Sequence, residues 1–322
     1  MSGPDSLPVE PDSLRVEPVE TDEQVPTRAT SSVRVGVVVL TMGKRPDDLA
    51  RGIRSILDQR GVVTDVVCVG NGWDPATAEP ALPAGVKTLH LPENLGIPAG
   101  RNRGVPLVTG EALFFLDDDA FLPSDTFLAD GCRTLAERPE IGLIQPRVVD
   151  PTGRVSPRRW IPRIRKGDPA HSSNVFSCWE GAVLMPRVVF DATGGWADPF
   201  FYAHEGIELA WRVWDTGHVA WYAGDLEAGH PVIDPARHAY YYRLNARNRV
   251  WLARRNLPAV LVPFYVGSWT AIQVLRWARQ PTALKAWFGG WRAGWREHPG
   301  ERRPMRWRTI WRMTLAGRPP VV

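Results

Sequence analysis

The stretch ALFFLDDDAFL, residues 112–122, decides how this chain folds. Five bulky apolar residues, as in a strand buried on both faces, run straight into three consecutive aspartates. An open α/β sheet meets its ligand at the carboxyl ends of its strands, so these carboxylates are expected at a site. In extended backbone Asp117 and Asp119 point to the same side. Like charges this close repel unless a cation or hydrogen-bond donors compensate them, and carboxylate oxygens suit Mg2+ or Mn2+. Such an ion could also hold a diphosphate. The plainer reading of the same string is an acidic turn that caps the next helix through Asp118 or Ser124.

Working outward, VRVGVVVL at 33–40 is a second such strand, followed by PDDLARGIRSILDQ, in which Leu49, Ile53, Ile56 and Leu57 recur at helical spacing. VVTDVVCV at 62–69 and VKTLHL at 86–91 read as strands, with a helical stretch around 97–109. Strands alternating with helices predict an α/β domain with a mainly parallel sheet. Farther on, IGLIQPRVV at 141–149 and FSCWEGAVLM at 176–185 read as strands around an Arg-rich loop, and HEGIELAWRVWD at 204–215 as a helix. On that helix Ile207, Ala210, Trp211 and Trp214 share one side and Glu205, Glu208 and Arg212 the other.

Two further stretches carry chemistry. PENLGIPAGRNRGV at 92–105 offers Gly96, Gly100 and Gly104 for close backbone approach, with Arg101 and Arg103 as fixed charge, so it could hold phosphates; its spacing is not that of a dinucleotide loop. Glu205 follows an aromatic loop, where a carboxylate could take the proton of a substrate hydroxyl, and His230 could complete a metal shell. Alternatively, Glu205 only favours the helix N-terminus, Glu208 and Arg212 are an exposed pair, and the histidine is structural.

Net charge is +4, but its distribution is uneven. Residues 1–32 sum to −5 in a Pro-rich near-repeat, DSLPVEPDSLRVEPVE, read as a disordered tail. Residues 243–322 sum to +14 and hold eight of the fifteen Trp, which predicts an anionic, partly apolar partner. Trp287, Trp291 and Trp295, then Trp307 and Trp311, recur every four residues among arginines, as in an interfacial helix on an anionic membrane surface; the alternative is a helical subdomain packed on the core or on a second copy in a homo-oligomer. The uncharged run 256–275 approaches the ~20 residues of a membrane span but is interrupted by prolines and polar residues. Three scattered cysteines suit a reducing cytosol, and the acidic N-terminus does not read as a secretory signal.

In their order these motifs resemble the family 2 glycosyltransferases with the GT-A fold. The resemblance rests on VVVLTMGKRPDDLARGIRSILDQ, NLGIPAGRNRG, FLDDDAFL, GAVLMPRVVFDATGGWADPFFYAHEGIELAWR and GHPVIDPARHAYYYRLNARNRVWLARRNLP, and runs from about Val33 to Pro258. The last block is most similar to the bacterial branch that moves rhamnose or galactofuranose onto cell-envelope or polyprenyl-linked acceptors. The resemblance implies a nucleotide-diphosphate sugar donor, Mg2+ or Mn2+, inversion at the anomeric carbon, and a glycan or lipid-linked acceptor at the inner face of the cytoplasmic membrane. It places Asp117, Asp119 and His230 on the metal; Thr41, Asn71, Arg101, Asp117 and Asp118 around the donor; Trp179, Glu180, Trp196 and Asp198 around the acceptor; and Glu205, or Glu208 one turn on, as base. Three regions follow: a tail at 1–32, a GT-A domain at 33–245 and a helical basic extension at 246–322.

Two departures stand out. The acidic pair usual at the start of the late helix reads Glu205-Gly206, and the motif after the second strand reads Gly70-Asn71, so an Asp that often touches the base is absent unless Asn71 and Asp74 replace it. The competing readings are a nucleotidyltransferase, whose Gly-rich loop TMGKR imitates only faintly, and a nucleic-acid binder using the Arg/Trp end, which leaves the aspartates unexplained and is set aside.

Overall fold

The computed structural model describes residues 32–232 and 239–321; the acidic tail (1–31) and residues 233–238 of the closing motif lie outside them. Elements follow in the order β1 (Val33–Thr41), α1 (Pro46–Leu57), β2 (Val62–Asn71), β3 (Lys87–Leu91), α2 (Ile97–Gly104), β4 (Ala112–Asp117), α3 (Phe127–Glu137), β5 (Ile141–Val149), β6 (Ser173–Val175), β7 (Ala182–Pro186), α4 (Arg187–Thr193), α5 (Glu205–Thr216) and β8 (Val219–Gly229). They form one eight-stranded sheet, β3-β2-β1-β4-β7-β5-β8-β6, flanked by helices. The β3-β2-β1-β4 half and the β5–β8 pair are parallel, while β7 and β6 run against their neighbours. The apolar runs are what their composition predicts: Val37, Val38, Phe114 and Phe115 are wholly buried, each contributing about 1.5–3 kcal/mol of burial.

Register sets up the site. Leu40 pairs with Asp117 and Thr41 with Gly70, so β1, β2 and β4 all end along one edge. From the other half, Val149 pairs with Gly229, and Gly229 exchanges backbone hydrogen bonds with Phe121. That contact draws the residue after β8, His230, to the aspartate turn.

Residues 176–181 are not part of a strand. Their backbone is used elsewhere: Cys178 N–H donates to Gly206 O, and Trp179 N–H to the buried Gln145 side chain, so the segment forms a turn against the start of α5. The expected helix at 97–109 ends at Gly104, followed by a single 3-10 turn over Val105–Leu107.

Four more helices complete the chain: α6 (Ala239–Asn256), α7 (Val262–Arg276), α8 (Pro281–Arg296) and α9 (Trp307–Leu315). The 245/246 division falls inside α6. Helix α8 lies directly on α6 because Gly290 brings no side chain; a Cβ there would sit 1.9 Å from Arg243 O. The Trp stripes divide. Trp287 is buried, as are Ile310 and Met313 of α9, whereas Trp307 and Trp311 are 59% and 64% exposed. Many arginines of this end cap backbone carbonyls: Arg255 at Pro299, Arg302 at Leu257, Arg303 at Thr193, Arg312 at Trp214. These arginines therefore tie the C-terminal segments to one another and, through Arg303 and Arg312, to α4 and α5.

Candidate active site

At the carboxyl edge of β4 the three aspartates take different partners. Asp117 accepts a hydrogen bond from Arg101 at 2.6 Å. Asp118 accepts from the Thr41 hydroxyl at 2.7 Å and pairs with Arg45 at 2.9 Å. Asp119 pairs with Arg45 and with His230 Nε2, each at 2.9 Å. Burial lifts the Asp118 pKa to about 6, opposed by the Thr41 bond and reinforced by the charge of Asp119. For Asp119 burial pulls the same way, but the His230 bond and charge and Arg45 outweigh it and hold the group below the usual range.

Asp117, Asp119 and His230 each present a ligand atom within 4.8 Å of the others. Two hard carboxylate oxygens and an imidazole nitrogen are a fitting donor set for a divalent ion such as Mn2+ or Mg2+. The second shell fits as well: His230 Nδ1 lies 2.7 Å from Pro231 O, a carbonyl that fixes the tautomer leaving Nε2 toward the aspartates. Trp179 and Trp160 stand edge-on to the imidazole, with centroids 4.9 and 5.4 Å away. The aspartate turn is thus no mere helix cap.

Several expected roles change. Arg101 is wholly buried, bonded to Asp117 and lying over the Trp196 ring at 4.8 Å, so it balances the acids instead of facing a diphosphate. Trp196, itself buried, packs on that guanidinium, which removes it from an acceptor surface. The glycines of 92–105 do not cradle phosphate: a Cβ at Gly100 would meet Leu40 at 2.5 Å and one at Gly104 would meet Val38 at 2.7 Å, so both seat α2 on the sheet. The exposed cation of the cluster is Arg45, which nothing in its sequence context singled out. Asn71 spends its amide on the 94–96 turn, donating to Asn94 Oδ1 and Gly96 O and accepting from Leu95 N–H, and Asp74 caps its own turn at Ala76. An acid could not stand at residue 70, where a Cβ would meet Trp73 O at 2.1 Å. Asp198 accepts from Asn102, with Arg103 4.0 Å away.

The acidic pair is rebuilt from a distance. A Cβ at Gly206 would lie 2.3 Å from Cys178 O and 2.5 Å from Glu180 Oε1, and Gly206 N–H donates to that same oxygen at 2.9 Å. Glu180, carried by the 176–181 turn, occupies the space of the missing side chain. It stands beside Glu205, which is 2% exposed. Burial, then the charge of Glu180, raises the Glu205 pKa to about 8, and burial likewise raises Glu180. Glu208 is the correction on this helix: its carboxylate, 1% exposed, is held by Arg212 at 3.1 Å and Arg255 at 3.4 Å, a buried ion network and neither a base nor an exposed pair.

The loop entering α5 is strained, with Phe201, Ala203 and His204 at φ of 64°, 73° and 72°. Asn248 of α6 holds it: its Nδ2 donates toward Phe200 O, Tyr202 O and Ala203 O at 2.8–2.9 Å. Helix α6 therefore steadies the loop that leads into Glu205, a role that nothing in the sequence around Asn248 announced.

The sequence profile of glycosyl transferase family 2 matches residues 37–194, just under half of the chain. No curated protein sequence matches. Among solved structures, the chain is similar to a mannosyltransferase from Pyrobaculum calidifontis in complex with GDP-Man and Mn2+, with TM-score 0.54, 18% identity, and 80% of this chain and 74% of that one covered. It is also similar to residues 1–349 of S. aureus TarS in complex with UDP-GlcNAc, with TM-score 0.54, 12% identity and 79% of each chain covered. A third is GalNAc-T7 with UDP, GalNAc and Mn2+, with TM-score 0.56, 13% identity and 74% of this chain covered; the match spans only 50% of that protein. The fold is of the GT-A type. Profile and fold together support a family 2 glycosyltransferase.

Replacing Asn248 with Ala is expected to cost about 1–3 kcal/mol and to lower turnover through the freed loop, read by chemical denaturation and single-turnover kinetics. An unchanged stability would show that the three carbonyls do not need it.

Proposed function

We propose that this protein is an inverting, divalent-metal-dependent glycosyltransferase that moves a sugar from a nucleotide-diphosphate donor to a hydroxyl of a glycan or lipid-linked acceptor. The observation that carries it is the Asp117–Asp119–His230 cluster opening beside the Glu180–Glu205 pair. A bound ion would offset charge on the departing diphosphate. Arg45, half exposed beside Asp118 and Asp119, adds a cation to the same edge. Glu180, the more accessible acid of the pair, takes the acceptor proton; the acceptor oxygen bonds to the anomeric carbon from the opposite face, and the carbon–oxygen bond to the diphosphate breaks with its electrons leaving on the nucleotide. Glu205, its pKa raised by burial and by the charge of Glu180, keeps a proton near neutral pH. The rhamnosyl- or galactofuranosyl-like branch and cell-envelope synthesis remain part of this proposal, supported by the closing motif alone.

Its place is at the cytoplasmic face of a membrane. The support is the outward stripe of α9, where Trp307, Trp311 and Leu315 are all exposed beside Arg308. Flotation with liposomes containing anionic lipid should carry the protein up, and Trp307→Ala with Trp311→Ala should leave it at the bottom. Equal flotation of both would remove α9 from the contact.

A nucleotidyltransferase finds less support, since the loop after β1 uses Arg45 to hold Asp118 and Asp119.

Glu180→Gln should lower turnover about 10²–10⁴-fold with donor affinity nearly unchanged. Burial raises the Glu180 pKa, and a carboxyl so raised becomes a base only as pH climbs, so the wild-type rate should keep rising with pH above the usual carboxylate range. Glu205→Gln, which replaces a protonated carboxyl by a neutral amide of the same shape, should leave that rise nearly in place. Full turnover of Glu180→Gln would move the base elsewhere.

A further inference from the structure

Beside the 176–181 turn lies a cavity of about 480 Å³, between the Arg-rich loop, α5, α7 and the C-terminal end. Its charge is one-sided. Among the described residues, Arg158, Arg159, Arg163, Arg249 and Arg318 line it against a single carboxyl, Glu180. Three of them bond to neutral groups: Arg158 reaches Arg163 O at 2.6 Å, Arg163 reaches Lys166 O at 3.1 Å, and Arg249 reaches the Tyr265 hydroxyl at 2.8 Å. Arg249 also lies 3.7 Å over the Trp269 ring. Guanidinium groups gathered in a concave site, with Arg158, Arg163 and Arg249 bonded to carbonyls and a hydroxyl, favour an oxyanion, which they can grip in a planar fork.

The remaining lining is aromatic and aliphatic, with Trp179, Trp211, Trp269 and Ile207 among it. The occupant therefore presents a flat or apolar surface beside its anion. Two residues connect this cavity to the chemistry. Trp179 lines it and also faces the His230 ring, while Glu180 lines it and touches the start of α5. Because Glu180 and the arginines line the same cavity, one occupant can meet both.

We propose that this cavity is the acceptor site, and that the acceptor carries an oxyanion, a phosphate on a sugar or on a lipid, bound by the arginine cluster close to the hydroxyl that is glycosylated. The naming of the occupant as acceptor rests on the transferase reading; the oxyanion site itself does not.

The test uses the full chain in EDTA, so that phosphate cannot gather at a metal. Trp fluorescence, for which Trp179, Trp211 and Trp269 are built-in reporters, is titrated with glucose 1-phosphate, farnesyl phosphate, glucose and farnesol. Saturable binding of one or both phosphates and not of their uncharged counterparts is expected, weakened about tenfold or more in Arg318→Glu and in Arg159→Glu. Whichever phosphate binds tighter identifies the carrier. Binding of neither, or affinities untouched by both substitutions in proteins of unchanged Tm, overturns the proposal. Donor binding, followed separately by nucleotide-dependent thermal shift with Mn2+, should be intact in both variants; its absence in the wild type would defeat the transferase reading while leaving the oxyanion result standing.

Discussion

A buried cation makes the acidic edge of this sheet possible. Asp117, Glu180 and Glu205 stand close together in a largely buried setting where unpaired carboxylates would be protonated or disrupt the fold. Arg101, without any exposed surface, bonds to Asp117 at 2.6 Å, and its charge also acts to lower the pKa values of Glu180 and Glu205. To reach that point α2 must lie flush on β1 and β2, which Gly100 and Gly104 allow, and Trp196 must cover the guanidinium. The Asp117–Asp119–His230 cluster, the Glu180–Glu205 pair and the packing of α2 are thus one electrostatic arrangement.

How much of this was legible in the sequence depends on the range of the interaction involved. The alternation of elements and the ALFFLDDD strand were readable because burial on both faces leaves a local apolar run, and the aspartates follow directly in sequence. His230 could be proposed as the third ligand, but only the sheet register explains why it arrives there. The glycines at 70 and 206 looked like losses of acid. In the folded chain both positions are filled by backbone or side chains from elsewhere, and Glu180, 26 residues before Gly206, takes the vacated space. Nothing in the local pattern could disclose that substitution across the turn. Arg101 was misread for a related reason: a Gly- and Arg-rich string looks alike whether it faces phosphate or packs inward.

The basic C-terminal end shows the same division between composition and placement. Its charge suggested lipid, yet arginines such as Arg255, Arg302 and Arg303 are bonded to backbone carbonyls, and Asn248 of α6 steadies the strained loop before Glu205. The extension supports the catalytic helix as well as offering an outward aromatic stripe. It also closes one side of the arginine-lined cavity through Tyr265, Trp269 and Arg318. Charge counted along a chain reports how many cations exist, while the fold decides which of them still face outward.

The central claim, that the Asp117–Asp119–His230 edge binds a nucleotide-diphosphate sugar with a divalent ion, is tested most directly by thermal unfolding against a panel of nucleotide sugars with and without Mn2+. A ligand that binds only the folded state must raise its stability. At least one donor should raise Tm in the wild type only when Mn2+ is present, and the Asp119→Ala variant should show no such shift. A donor shift of equal size in Asp119→Ala, or in the wild type without the ion, would contradict the account.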